Sequence, residues 1–143
     1  MLHIRIVAVG TLKESFWTGA VAEYTKRLGK YCKFEILQVK ESTVKKESEE
    51  ILTKLRGYVM LFDIEGELIS SNGLSKKIEK TSQTSSVITF IIGGSGGVDE
   101  VLAKAVNERI SFGRITLPHQ LFRVVVVEQL YRAFTIGCLK AEE

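Results

Sequence analysis

Four glycines in five residues, Gly93-Gly94-Ser95-Gly96-Gly97, follow the apolar run Val87-Ile88-Thr89-Phe90-Ile91-Ile92. Without a Cβ in the way, and with positive φ allowed, such a cluster lets a backbone approach a flat or phosphorylated ligand. The spacing is not that of a dinucleotide fingerprint, because the third glycine would fall at Asp99. A P-loop is excluded too, since no Lys-Ser/Thr pair follows. A tight strand-to-helix turn without any ligand accounts for two of the four glycines, so both readings stand at this level. His3 and His119 are the only histidines, and any histidine-based base or metal site must use one of them. His119, in Leu117-Pro118-His119-Gln120, is the better placed. With no partner visible in the sequence, it reads as a hydrogen bonder at a helix start more readily than as a general base. Arg123 and Arg132 stand nine positions apart, about two and a half helical turns, and so on opposite faces of one helix. One could serve a phosphate while Arg132 pairs with Glu128, four residues before it.

These residues need elements to hold them. Residues 2–9 alternate as a strand ending at Gly10, and Ser15 opens a helix with Phe16, Ala20, Val21, Tyr24 and Leu28 on one face. Residues 34–39 read as a second strand, and the charged stretch 40–50 leads into a helix carrying Ile51, Leu52 and Leu55. Residues 58–62 form a third strand with 63–66 as its exit loop, followed by a helix over 71–82. Residues 87–92, apolar throughout, suit a central parallel strand covered on both faces. A helix over 98–107, a short fifth strand near 114–117 and a final helix from 119 to about 137 complete the pattern. Strand and helix alternate throughout, which predicts a single α/β domain over 1–143 with a mainly parallel sheet and helices on both faces.

The composition excludes several classes. No run approaches the roughly 18 apolar residues of a membrane helix, and the N-terminus lacks a signal-peptide layout, so a cytoplasmic protein is expected. Cys32 and Cys138 have no metal-ligand spacing, which points to reduced thiols and no metal. A net charge of +3 lies below the usual footprint of a dedicated nucleic-acid binder. From 104 to 132, however, Lys104, Arg109, Arg114, Arg123 and Arg132 outnumber Glu108 and Glu128, so this third is locally positive or simply a solvated face.

Taken in order, Val7-Ala8-Val9-Gly10-Thr11-Leu12-Lys13-Glu14, Asp63-Ile64-Glu65-Gly66, Ile91-Ile92-Gly93-Gly94-Ser95-Gly96-Gly97 and, above all, Leu117-Pro118-His119-Gln120-Leu121-Phe122-Arg123-Val124 through Glu128-Gln129-Leu130-Tyr131-Arg132-Ala133-Phe134 resemble the RlmH family of SPOUT methyltransferases. The resemblance spans nearly the whole chain. It implies a SPOUT-type α/β fold with a C-terminal trefoil knot, a homodimer, S-adenosylmethionine as methyl donor, and N3 of a pseudouridine in large-subunit ribosomal RNA as acceptor. It places the cofactor at Phe62, Gly93 and the run Phe112, Gly113, Arg114, Ile115, Thr116 and Leu117. Phe62, Ile115 and Leu117 would then wall the adenine. It puts Arg132 near the acceptor as candidate catalytic residue, with Arg123 as a second RNA contact and His119 as a weaker candidate. Relatives extend past the final helix into a tail with a Tyr-His pair, where this sequence reads Cys138-Leu139-Lys140-Ala141-Glu142-Glu143. That difference keeps a second expectation alive, a nucleotide- or RNA-binding ribosome-associated module without catalysis. A surplus of apolar residues on the last helix, Val124 and Val127 among them, is the sequence signal for dimerisation.

Overall fold

The computed structural model describes the backbone of residues 1–142 and the side chains of residues 1–137, so Cys138 lies outside the described side chains. Five strands form one all-parallel sheet, β1 (His3–Val9), β2 (Lys33–Val39), β3 (Tyr58–Leu68), β4 (Val87–Ile92) and β5 (Glu108–Ser111), in the order β2-β1-β4-β3-β5. The helices are α1 (Ser15–Leu28), α2 (Val44–Leu52), α3 (Ser71–Ser82), α4 (Glu100–Ala105) and α5 (His119–Glu142). Successive strand side chains point to opposite faces, and β1 shows the consequence. Ile4, Ile6 and Ala8 join the core shared with α1, α3 and α5, whereas Val7 and Val9 join the core shared with α2 and α4. The sheet is thus covered on both faces, as its apolar strands require. Among the described residues, no helix is long and apolar enough to cross a membrane.

Several boundaries differ from the sequence reading: α2 stops at Leu52, short of Leu55, α4 is shorter than the expected 98–107, α5 runs past 137, and three further differences have a physical reason. The fifth strand is Glu108–Ser111, and residues 114–117 are irregular. Ile110 is the residue that seals against the sheet, pairing with Phe62, so the strand ends before Gly113. Residues 63–66, expected to be an exit loop, lie inside β3, which runs to Leu68 through an irregularity between Phe62 and Glu67. A Cβ at Gly66 would lie 2.8 Å from the Arg109 carbonyl carbon, so the two backbones approach there as only glycine permits. The charged segment before Ile51 is itself helical. Thr43 caps α2 by accepting from the Lys46 N–H, and the Glu47 carboxylate accepts from the Ser42 N–H.

Helix α5 is apolar around most of its girth because it lies against the sheet between α1 and α3. Val127 is completely buried in that core beside Val126 and Leu130, so it is not the spare interface residue that the sequence suggested. Val124 is only half-buried.

Candidate functional site

The carboxyl ends of β3, β4 and β5 open onto one cavity of about 990 Å³. Ligands in α/β sheets collect at this end, because the strands deliver their exit loops there. Phe62 enters from β3, the glycine cluster from β4, Phe112 to Leu117 from β5, and His119 and Phe122 from the start of α5. Of the eight residues expected around the cofactor, seven line this cavity: Phe62, Gly93, Phe112, Gly113, Ile115, Thr116 and Leu117. Arg114 does not. Its guanidinium donates to the carbonyls of Ile64 and, at 3.0 Å, Gly66, which fastens the cavity loop to the irregular stretch of β3.

Phe62 sits in an aromatic cluster, 4.9 Å from Phe112, 5.4 Å from Phe122 and stacked on Phe90 at 5.8 Å between centroids. It braces the wall as much as it presents one. Ile115, 80% exposed, and Leu117 stand further out at the mouth. The glycines divide by what surrounds them. At Gly93 an added Cβ would meet Val98 Cγ1 at 3.1 Å, and at Gly96 it would meet Val44 at 2.7 Å, so these serve packing of the loop on its own neighbours. Gly97 (φ 76°) and Gly113 (φ 148°) require positive φ, and a Cβ at either would meet nothing. Open backbone on the cavity is therefore at Gly97 and Gly113.

Charge around the cavity is mixed. Asp63 reaches Arg109 at 3.6 Å, Asp99 caps α4 by accepting from the Leu102 N–H at 2.9 Å, and Glu100 is exposed. The resemblance set Asp63 in a loop beside the cofactor, whereas Asp99 and Glu100 read only as residues at a helix start, because their place at the cavity depends on strands converging.

His119 and Arg123 share a task. The His119 Nε2–H donates to the Val9 carbonyl at 2.7 Å, a bond that commits the ring proton to Nε2 and leaves Nδ1 as the acceptor. Arg123 Nη2 donates to the same carbonyl at 2.9 Å and to that of Gly10 at 3.1 Å. Gln120 completes the tie by accepting from the Lys13 N–H at 3.1 Å. The exit of β1 is thus pinned to the first turns of α5. Arg123 is 1% exposed, and its Nε and Nη1 have no partner. Burial pushes its guanidinium below the usual arginine range. It does not present a surface to RNA, contrary to the sequence expectation.

Arg132 behaves oppositely. Its side chain is 54% exposed and grips Glu128 through Nε at 3.0 Å and Nη2 at 2.9 Å, and this carboxylate raises its pKa. It lines a second, open pocket of about 260 Å³ with Tyr24, Arg27, Glu128, Tyr131 and Thr135. The two pockets share no lining residue. Tyr24 belongs to the inward face of α1 by periodicity, but Arg27 carried no sequence signal, since Tyr131, one of the two rings that hold it, lies on a distant helix.

The family model described as "Predicted SPOUT methyltransferase" matches residues 2–140. Ribosomal RNA large subunit methyltransferase H of Limosilactobacillus reuteri is 46% identical, over 94% of this chain and 95% of the relative. The proteins of that name from Latilactobacillus sakei and Streptococcus pneumoniae are each 43% identical, over 95% and 94% of this chain and 96% and 95% of the relatives. By sequence along almost its entire length, the chain belongs to the SPOUT methyltransferase family.

Proposed function

We propose that the chain transfers the methyl group of S-adenosylmethionine to N3 of a pseudouridine in large-subunit ribosomal RNA, working in the cytoplasm as a homodimer with the trefoil knot of its family. The observation that carries this reading is a cavity built at the expected exit segments in a chain 46% identical to a ribosomal RNA methyltransferase. The lining suits the donor, which supplies a methyl group on a cationic sulfur. Phe62, Ile115 and Leu117 offer apolar surface to the adenine, Gly97 and Gly113 offer unobstructed backbone, and Asp63, Asp99 and Glu100 balance positive charge.

The acceptor N3 is a weak nucleophile until its proton leaves, here to water, and transfer breaks the bond from sulfur to methyl and releases S-adenosylhomocysteine. A guanidinium at the acceptor stabilises the resulting anion, and Arg132 is the exposed candidate. His119 holds the β1 exit in place, with Nδ1 left to accept a hydrogen bond. Holding nucleophile and methyl carbon at near-attack distance supplies much of the remaining acceleration. Because the cavity and the Arg132 pocket share no residue, a homodimer that brings Arg132 of one chain to the cavity of the other unites them.

The alternative reading, a ribosome-associated binding module without catalysis, is favoured by one observation. Arg132 and the Nε2 of His119 are both already engaged, by Glu128 and Val9. Calorimetric titration with S-adenosylmethionine, paired with transfer of a radiolabelled methyl to ribosomes lacking the modification, separates the readings. Binding with transfer, and N3-methylpseudouridine in the nucleoside digest, is the expected result. Binding without transfer selects the module, and no binding heat removes both the cofactor and the reaction.

A further inference from the structure

The seam between α1 and α5 carries a cluster that the cofactor cavity does not use. Arg27 lies over the Tyr24 ring at 5.2 Å and the Tyr131 ring at 5.6 Å, so two aromatic faces hold its guanidinium. Among the described residues its one ion-pair contact is to Glu23 at 3.8 Å, a long one, and the side chain is 47% exposed. Its planar fork of donors is therefore oriented but largely unspent. Arg132 stands across the same pocket, and exposed Lys26 and Lys30 follow on α1 and just beyond it. The pocket lining itself holds two guanidinia, Arg27 and Arg132, against one carboxylate, Glu128.

The shape narrows the ligand class. At about 260 Å³ the pocket falls below the roughly 300–1,000 Å³ of sites that enclose a small molecule, and it is open at the surface. It suits one unit of a polymer held from outside. Arginine on aromatic rings beside a second guanidinium is chemistry for a nucleotide, with a base stacked on a ring face or guanidinium plane and a phosphate on the fork. We infer that Tyr24 and Arg27, with Tyr131, bind a nucleotide of the RNA substrate at the α1–α5 seam. This rests on the RNA-substrate reading above and extends it to residues of α1. Arg27 supplies the phosphate contact and Tyr24 a stacking face.

The test uses the full-length protein and ribosomes purified from cells that lack it. Binding is read by co-sedimentation across a salt series and transfer by radiolabelled methyl incorporation. Arg27→Ala should weaken ribosome binding about tenfold and raise KM similarly, with a smaller change in kcat. It should also flatten the slope of log affinity against log salt by about 0.7–0.9, the signature of one lost phosphate contact. Arg27→Lys, which keeps the charge and loses the planar fork, should fall between. Tyr24→Leu should weaken binding without changing the salt slope. Calorimetry with S-adenosylmethionine should not distinguish any variant from wild type. Wild-type ribosome affinity and KM in Arg27→Ala overturn the inference. So does a sedimenting mass of free Arg27→Ala that differs from wild type, which would make Arg27 a residue that holds the homodimer together. If wild-type protein binds ribosomes without methylating them, and Arg27→Ala still binds more weakly, the catalytic reading fails while this one stands. Wild-type protein that does not bind ribosomes defeats both.

Discussion

The two arginines of α5 stand nine positions apart, and the fold treats them in opposite ways. Arg123, near the start, is sealed between helix and sheet, with two backbone carbonyls for company and no carboxylate. Arg132, mid-helix, is open to solvent and held by Glu128. A buried unpaired charge is costly unless it organises something, and what Arg123 organises is the exit of β1. A surface pair contributes little to folding, so Arg132 is free to be selected for what it touches. Residue type alone does not separate these roles. Exposure and partner do.

Substitutions at the two arginines should therefore diverge. Arg123→Ala removes both carbonyl bonds and leaves a void, which should lower unfolding free energy by about 2–4 kcal/mol in urea titration. Arg123→Met, which fills the space without a charge, should lower it by less than half as much, and equal losses would deny that the unpaired charge carries a desolvation cost. Arg132→Ala should reverse the pattern: a melting temperature within about 2 °C of wild type, unchanged cofactor affinity, and methyl transfer reduced by a factor on the order of a hundred. Unimpaired transfer would remove Arg132 from the acceptor site. Gly113→Val at the cavity tests whether open backbone matters there. A β-branched residue resists φ 148°, so calorimetry should show a loss of roughly tenfold or more in S-adenosylmethionine affinity at little cost in secondary structure. Gly93→Val is the poorer probe, because it also crowds Val98. The smallest effect belongs to Cys32. Burial pushes its thiol up to about 11, so native protein at pH 8 should resist alkylation at Cys32, read by peptide mass spectrometry, whereas urea-unfolded protein should react readily. Because the unfolded thiol ionises first, this group's contribution to stability is full below pH 9 and declines as pH rises from there toward 11.

The strand-helix alternation was legible because each apolar run is bounded by glycine or polar residues, and the regions around Phe62, Gly93 and Phe112 to Leu117 were legible as exits or by resemblance. What failed was any inference that depended on a distant neighbour. Val127 looked surplus until α1 and α3 closed on α5. Arg114 looked like a ligand contact, yet its partners are carbonyls of Ile64 and Gly66, nearly fifty positions earlier. Arg123 was assigned to RNA by resemblance, and its spacing from Arg132, which sets the two on opposite faces, does not tell which face is covered. The Arg27 cluster needed Tyr131 beside Tyr24, a contact no local pattern encodes.

The interior position of β1, between β2 and β4, bears on how the chain reaches its shape. One flank of β1 pairs with β2, where Arg5 and Glu35 are 30 positions apart, and the other with β4, where Arg5 and Thr89 are 84 apart. Chain synthesis at about 5–20 residues per second leaves that second flank without its partner for several seconds. Closing so long a loop adds an entropic cost before any long-range pairing compensates it. The strand that anchors the finished sheet is thus an unpaired edge for much of its early life. Late completion of the sheet during synthesis follows from that one placement.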